Sequence, residues 1–187
     1  MDAFSLKELM LDLATQVAVF EALLLIASSI HKAATWPRAR AATERFAGVP
    51  APWTTVALIA AMAGEALAAL LLAMPAYRML GGLAAGAIFA LYLALMLRAI
   101  AQGRRDVDCG CSFGSARHSL GAFQVIRNCV LLGGALWVAV LAKSGGPTAA
   151  GATIQGSQVL AALALLALYS AFDQIMALQP LRSGEVL

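Results

Sequence analysis

Long apolar runs constrain the fold of this chain more than any other feature of its sequence. Each run is about 20 residues long, which is the length that an α-helix needs to cross a hydrocarbon core of roughly 30 Å. Backbone groups inside lipid must be hydrogen-bonded within the protein, so each run is predicted to be a transmembrane helix. We expect an all-α integral membrane protein, with residues 1–187 as one transmembrane domain. The five predicted spans, four in a helix bundle and one added to it, are 9–30, 53–74, 79–99, 121–142 and 157–178.

The composition agrees with a membrane protein. Only 12% of the residues are charged and 61% are hydrophobic, whereas a soluble domain has about 25% charged residues. The net charge of +3 does not indicate a nucleic-acid partner, because basic residues in a membrane protein mark its cytoplasmic loops. The first apolar run is too long for the hydrophobic part of a cleaved signal peptide.

Lys and Arg are unequally divided between the two sides that the spans define. Residues 31–52 and 100–120 are predicted to be the longer loops, and they lie on the same side. The positive-inside rule places that side in the cytoplasm and the N-terminus outside. Nine basic residues belong to it (Lys32, Arg38, Arg40, Arg45, Arg98, Arg104, Arg105, Arg117 and Arg182), against Lys7, Arg78 and Lys143 on the other side.

The segment DVDCGCSFGSA, residues 106–116, carries a pair of thiols, Cys109 and Cys111. A disulfide across one intervening residue is strained and therefore easily reduced, and Gly110 relieves part of this strain. Nearby arginines favour the reactive thiolate, whereas Asp106 and Asp108 oppose it. We interpret the pair as a thiol–disulfide exchange centre. The alternatives are two structural or incidental loop cysteines, or half of a metal site. A metal site usually needs four ligands, and only His118 and the distant Cys129 could add to the pair, so no metal is predicted.

Cys129 follows Asn128 inside the fourth span. Free cysteine packs well as a small apolar residue, which predicts a core position. The alternative is a third thiol that resolves or relays a disulfide.

Ionisable side chains also occur within the spans. Such groups usually face the interior of a bundle and are paired. The simplest expectation is that Arg127 pairs with Glu65 or with Glu21. The functional alternative is a proton or quinone site, in which a buried carboxyl accepts a proton. Lys32, at the end of the first span, is expected to extend towards the membrane surface.

Four segments, in this order, resemble the methylamine utilisation protein MauE family, within the DoxX-like membrane proteins. They are SSIHKAATWPRA, AGEALAALLL with Glu65, DCGCSFGS with the thiol pair, and RNCVLL with Arg127 and Asn128. The resemblance covers about residues 10–178. Ser112 is a departure, because the family signature is of the CGCFG type.

The resemblance implies a bacterial inner-membrane factor for the maturation of methylamine dehydrogenase. The small subunit of that enzyme carries many disulfides and a tryptophan-derived quinone in the periplasm, and the family acts beside a thioredoxin-like partner, MauD. The leading hypothesis is that Cys109 and Cys111 cycle between dithiol and disulfide. Glu65, Arg127, Asn128, Lys32 and Cys129 are candidate supporting residues. A quinone is a candidate electron acceptor by analogy with other small-bundle disulfide oxidoreductases.

Two other function classes remain open from the sequence. One is a non-enzymatic scaffold for assembly or export of the small subunit, in which the two cysteines are structural. The other is a small transporter, although no pair of broken helices or inverted repeat supports it. The periplasmic client also disagrees with the basic-residue count, which places the thiol pair in the cytoplasm.

Overall fold

The computed structural model describes residues 3–104, 122–144 and 154–178. Five helices within these ranges are long and apolar enough to cross a membrane, which confirms the predicted all-α membrane fold with five spans. The helices are α1 Ala3–Ala34, α2 Trp36–Ala47, α3 Ala51–Ala73, α4 Arg78–Ala101, α5 Ala122–Ser144 and α6 Gly156–Leu178, with a 3-10 turn, Pro75–Tyr77, before α4.

Four of the spans form a closed bundle. Helix α1 packs against α3 and α5, and α4 packs against the same two helices. Helix α6 packs on the outside, mainly against α1. Only 11% of its most apolar stretch is buried, compared with 44% for α1. The fold is therefore the expected four-helix bundle with one extra span. Its core contains Ala18, Leu25, Ala68, Leu72, Ala85, Phe89, Ala135 and Val138.

Glycine allows α4 and α5 to approach closely. A Cβ atom on Gly82 would lie 2.7 Å from the carbonyl oxygen of Ala135 and 2.9 Å from the amide nitrogen of Ala139. Small residues at helix contacts let membrane helices pack backbone to backbone. Gly86, one turn further along α4, faces the side chain of Leu136. The Gly82–Gly86 motif is therefore used within the bundle.

Residues 31–52 differ from the loop expected there. Helix α1 continues to Ala34, and α2 occupies most of the remainder. The three prolines in this region, Pro37, Pro50 and Pro52, lie at the starts of α2 and α3. Proline is tolerated in the first turn of a helix, where its missing N–H costs nothing. The prolines that suggested a loop therefore begin helices.

Helix α2 is amphipathic. Ala39 and Phe46 are buried, and Phe46 packs against Met96 and Ala99 of α4. The exposed face of α2 carries Arg38, Arg40, Glu44 and Arg45. A short helix with one apolar and one basic face is typical of a segment that lies at the membrane surface. We call the end of the bundle that α2 covers the α2 end.

Cys109 and Cys111 lie in residues 105–121, outside the described residues. The described helices on either side of this range are α4, which ends at the α2 end, and α5, which begins there. The last described residue before this range, Arg104, donates a hydrogen bond from Nη1 to the carbonyl oxygen of Arg45 at 2.7 Å. This bond ties the exit from α4 to the C-terminal end of α2, where helical carbonyls lack partners within the helix.

Candidate functional site

Lys32 and Glu65 form an ion pair in the α2 half of the bundle. Their side chains are 7% and 1% exposed, respectively. Glu65 Oε1 also accepts hydrogen bonds from the hydroxyl of Tyr92 at 2.6 Å and from that of Ser28 at 3.3 Å. Lys32 Nζ donates to the Ser28 hydroxyl at 2.9 Å. The cluster joins α1, α3 and α4, and it neutralises two charges that would be costly in lipid.

The expected position of Lys32 at the membrane surface is therefore wrong. Its ammonium group lies inside the bundle, 5.3 Å from the ring centroid of Tyr92. The hydroxyls of Ser28 and Tyr92 were not singled out from the sequence. Serine and tyrosine occur throughout membrane helices, so neither residue gives a signal by itself.

Arg127 forms its ion pair with Asp173 of α6, and not with Glu65 or Glu21 as expected. The two side chains are 9% and 2% exposed. The guanidinium carbon lies 5.3 Å from the ring centroid of Tyr169, which is one turn before Asp173. Sequence reasoning missed Asp173, although an aspartate within an apolar run is rare enough to indicate a buried partner.

Asn128 and Cys129 face opposite environments. Asn128 is buried, and its side-chain nitrogen lies 3.5 Å from the sulfur of Met96. Cys129 is exposed, next to Val130, which is 68% exposed. The predicted core position of Cys129 is therefore wrong, because this face of α5 points towards lipid. Its role as a third thiol stays a prediction.

A cavity of about 30 Å³, which we call the central cavity, lies between the two ion pairs. It has room for one or two water molecules. Three of the residues predicted from the sequence line it, namely Glu65, Arg127 and Asn128. Among the described residues, Glu65 Oε2 has no hydrogen-bond partner. The structure thus brings three of the five predicted supporting residues to one small cavity, whose wall is otherwise mainly apolar.

A second cavity, the α2 cavity, has a volume of about 270 Å³ and lies between α2, α3 and α4. Most of its wall is apolar, as in sites for small organic ligands. Lys32 and Tyr92 provide polar groups at one place in the wall. The apolar lining includes Ala39, Ala42, Phe46, Leu58, Ala61, Leu91 and Leu95.

The part of the chain that the structure describes contains no group of three or more His, Cys, Asp or Glu residues able to hold a metal ion. Cys109, Cys111 and His118 lie outside it. The two buried ion pairs offer hydrogen bonding and charge pairing.

Five spans around buried ion pairs define a multi-pass membrane protein with a polar interior. The family model of the methylamine utilisation protein MauE matches residues 10–141, and the chain belongs to that family. Membership links the protein to methylamine utilisation. The match ends within α5, so α6 and Asp173 lie beyond it. No curated protein matches the chain, and no solved structure does.

Proposed function

We propose that the protein is a membrane factor for the maturation of methylamine dehydrogenase, acting by thiol–disulfide exchange at Cys109 and Cys111. The observation that carries this proposal is the concentration of buried polar groups in the half of the bundle where α4 ends and α5 begins, the two helices that the CGC sequence separates. The pairs Lys32–Glu65 and Arg127–Asp173 both lie there. Family membership supplies the process, and the CGC sequence supplies the chemistry.

The proposed exchange is a two-electron reaction. Two thiols of the client form a disulfide, while the Cys109–Cys111 disulfide breaks and takes up the two electrons and two protons. The proposed client is the small subunit of methylamine dehydrogenase. A thioredoxin-like protein of the MauD type is the proposed partner, and the bacterial inner membrane is the proposed location.

Regeneration of the Cys109–Cys111 disulfide requires an acceptor for two electrons and two protons. A membrane quinone can accept two electrons and two protons, and it becomes a quinol. The α2 cavity fits such a molecule, because its wall is mainly apolar and has polar groups from Lys32 and Tyr92. These two side chains would contact the polar head of the quinone, and the apolar lining of α2, α3 and α4 would hold its body.

The proposal is tested with a Cys109→Ser, Cys111→Ser variant in cells that produce methylamine dehydrogenase. We expect the small subunit to accumulate with free thiols, detected by a gel shift after alkylation. Cys129→Ser is the matched control, since Cys129 lies on the lipid-facing side of α5. A fully oxidised and active small subunit in the double variant would contradict thiol exchange and favour a scaffold. Immunoblotting of the membrane fraction confirms that each variant is present.

A further inference from the structure

Glu21 is a buried acidic residue that the proposed thiol chemistry does not use. It lies at the middle of the first span, Glu8–Ala34, and is 1% exposed. Its Oε2 atom has no hydrogen-bond partner among the described residues. A charged carboxylate without a counter-ion is very costly in apolar surroundings, so the group is expected to rest in its protonated form.

Glycine on α5 makes room for this carboxyl group. A Cβ atom on Gly134 would lie 2.7 Å from Glu21 Oε1 and 3.2 Å from the side chain of Val17. The carboxyl group therefore reaches the backbone of α5. We call the contact between α1 and α5 on either side of Glu21 the α1–α5 seam.

A cavity lies on each side of Glu21 along this seam. Towards the α2 end is the central cavity, lined by Leu25 of α1 and Leu131 of α5. In the other direction is a cavity of about 10 Å³, the distal cavity, lined by Ala14 of α1 and Val138 of α5. The distal cavity is near the lower limit for one water molecule, and the central cavity is above it.

Each of the two cavities along the seam is lined by polar groups as well as apolar ones. Arg78 and Thr15 line the distal cavity, and Arg78 Nη1 donates to Thr15 Oγ1 at 3.0 Å. Ser28 lines the central cavity. At 1.5 Å of rise per residue, Glu21 lies about 9 Å from Thr15 and about 10.5 Å from Ser28 along α1. Glu21 lines neither cavity, so a proton can pass between the carboxyl group and either cavity only when side chains or water rearrange.

Other charged groups lie near the two ends of the seam, and Glu21 lies between them. Arg78 of α4 is the charged group at the distal cavity. Glu65 of α3 and Arg127 of α5 line the central cavity, and their ion-pair partners are Lys32 of α1 and Asp173 of α6.

We propose that Glu21 is a proton-transfer site through which the α1–α5 seam carries protons across the bundle. Water in one cavity accepts the proton of the Glu21 carboxyl group, and water in the other cavity returns one. Each cycle moves one proton and no electrons, and the carboxyl group ends as it began. The site needs no cysteine, so it can be tested in a chain that lacks the thiol pair.

The first test asks whether Glu21 is a protonated carboxyl group in an apolar place. The full chain with Cys109→Ser and Cys111→Ser is placed in liposomes and treated with dicyclohexylcarbodiimide, which reacts with such groups. We expect mass spectrometry to find the acylurea on Glu21. Glu44, which is exposed on α2, serves as the unlabelled comparison in the same digest. Absence of the modification on Glu21 would overturn the proposal.

The second test measures proton movement. Liposomes containing a pH-sensitive dye and the same protein are given a membrane potential with potassium and valinomycin. We expect inward proton flux well above that of empty liposomes, with at least a tenfold loss in Glu21→Gln. Glu44→Gln is the matched control and should retain the full flux. Equal flux in Glu21→Gln and the parent chain would overturn the proposal.

A second variant guards against a folding defect in Glu21→Gln. Ala14→Leu keeps the carboxyl group and fills the distal cavity, so it should also reduce the flux while Glu21 remains reactive towards dicyclohexylcarbodiimide. Each variant must elute from gel filtration in detergent as the parent chain does. Unchanged flux in Ala14→Leu would contradict a path through the distal cavity.

Discussion

The Lys32–Glu65 pair holds three helices together through one carboxylate oxygen. Glu65 Oε1 accepts from Lys32, Tyr92 and Ser28, so α1, α3 and α4 all depend on it. Removing one member of a buried ion pair leaves the other charge without compensation, which typically costs about 3–5 kcal/mol.

We therefore expect Glu65→Gln to lower the free energy of unfolding by roughly 3–5 kcal/mol, because the Lys32 ammonium loses its counter-ion. The double variant Lys32→Met, Glu65→Leu removes both charges and should recover most of this loss. Unfolding in mixed detergent micelles, followed by circular dichroism, measures both effects. A double variant less stable than Glu65→Gln would contradict this account.

The sequence indicated that the charges within the spans are paired inside the bundle, but not which charges meet. The rotation of each helix about its axis selects the partners, and a single sequence does not reveal it. Lys32 is only two residues from the end of α1, which favoured a position at the membrane surface. The carboxylate of Glu65 instead provides a nearby counter-ion, so the ammonium group stays inside the bundle.

At the scale of the helices, α4 and α5 depend on the absence of a side chain at Gly82. The nearest atoms to a Cβ at this position are backbone atoms of α5, which cannot turn away as a flexible side chain can. The two helices would have to move apart.

We expect Gly82→Ala to destabilise the protein by about 1–3 kcal/mol, the usual cost of overpacking. Gly133→Ala is the matched control, since nothing lies within 4 Å of a Cβ at Gly133. That change should be neutral or stabilise α5 by up to about 1 kcal/mol, because alanine favours helix more than glycine does. Thermal unfolding in detergent compares the two variants. Equal stability of Gly82→Ala and the parent chain would show that α4 can shift without cost.

Apolar run length was enough to predict the five spans, but it could not predict α2. This helix is too polar and too short to appear as a span, and its three neighbouring prolines favoured a loop. Its burial of Phe46 against α4 is a tertiary contact, which is visible only once α4 is in place.

At the scale of the whole molecule, the orientation in the membrane is predicted from the basic residues that lie outside the bundle interior. Lys32 and Arg78 are both buried and so do not belong in the count. Eight basic residues remain on the α2 side and two on the other. The bias keeps its direction and predicts that α2 lies on the cytoplasmic side.

We expect Arg40→Cys, on α2, to resist a membrane-impermeant maleimide in intact cells and to react after lysis. Ser157→Cys, at the start of α6, should react in intact cells, because an odd number of spans separates these regions. Both variants carry serine at the three native cysteines. The reverse pattern would overturn the orientation from charge and would place residues 105–121 on the periplasmic side, beside the proposed client.

The Arg127–Asp173 pair has a consequence for the order in which the protein is made. Arg127 is synthesised 46 residues before Asp173, so the growing chain contains this cation before its counter-ion. The ion pair can therefore form only once α6 has been made. A chain that terminates after α5 has Arg127 but lacks Asp173. This difference in charge is a feature by which membrane proteases that remove unfinished proteins can recognise it.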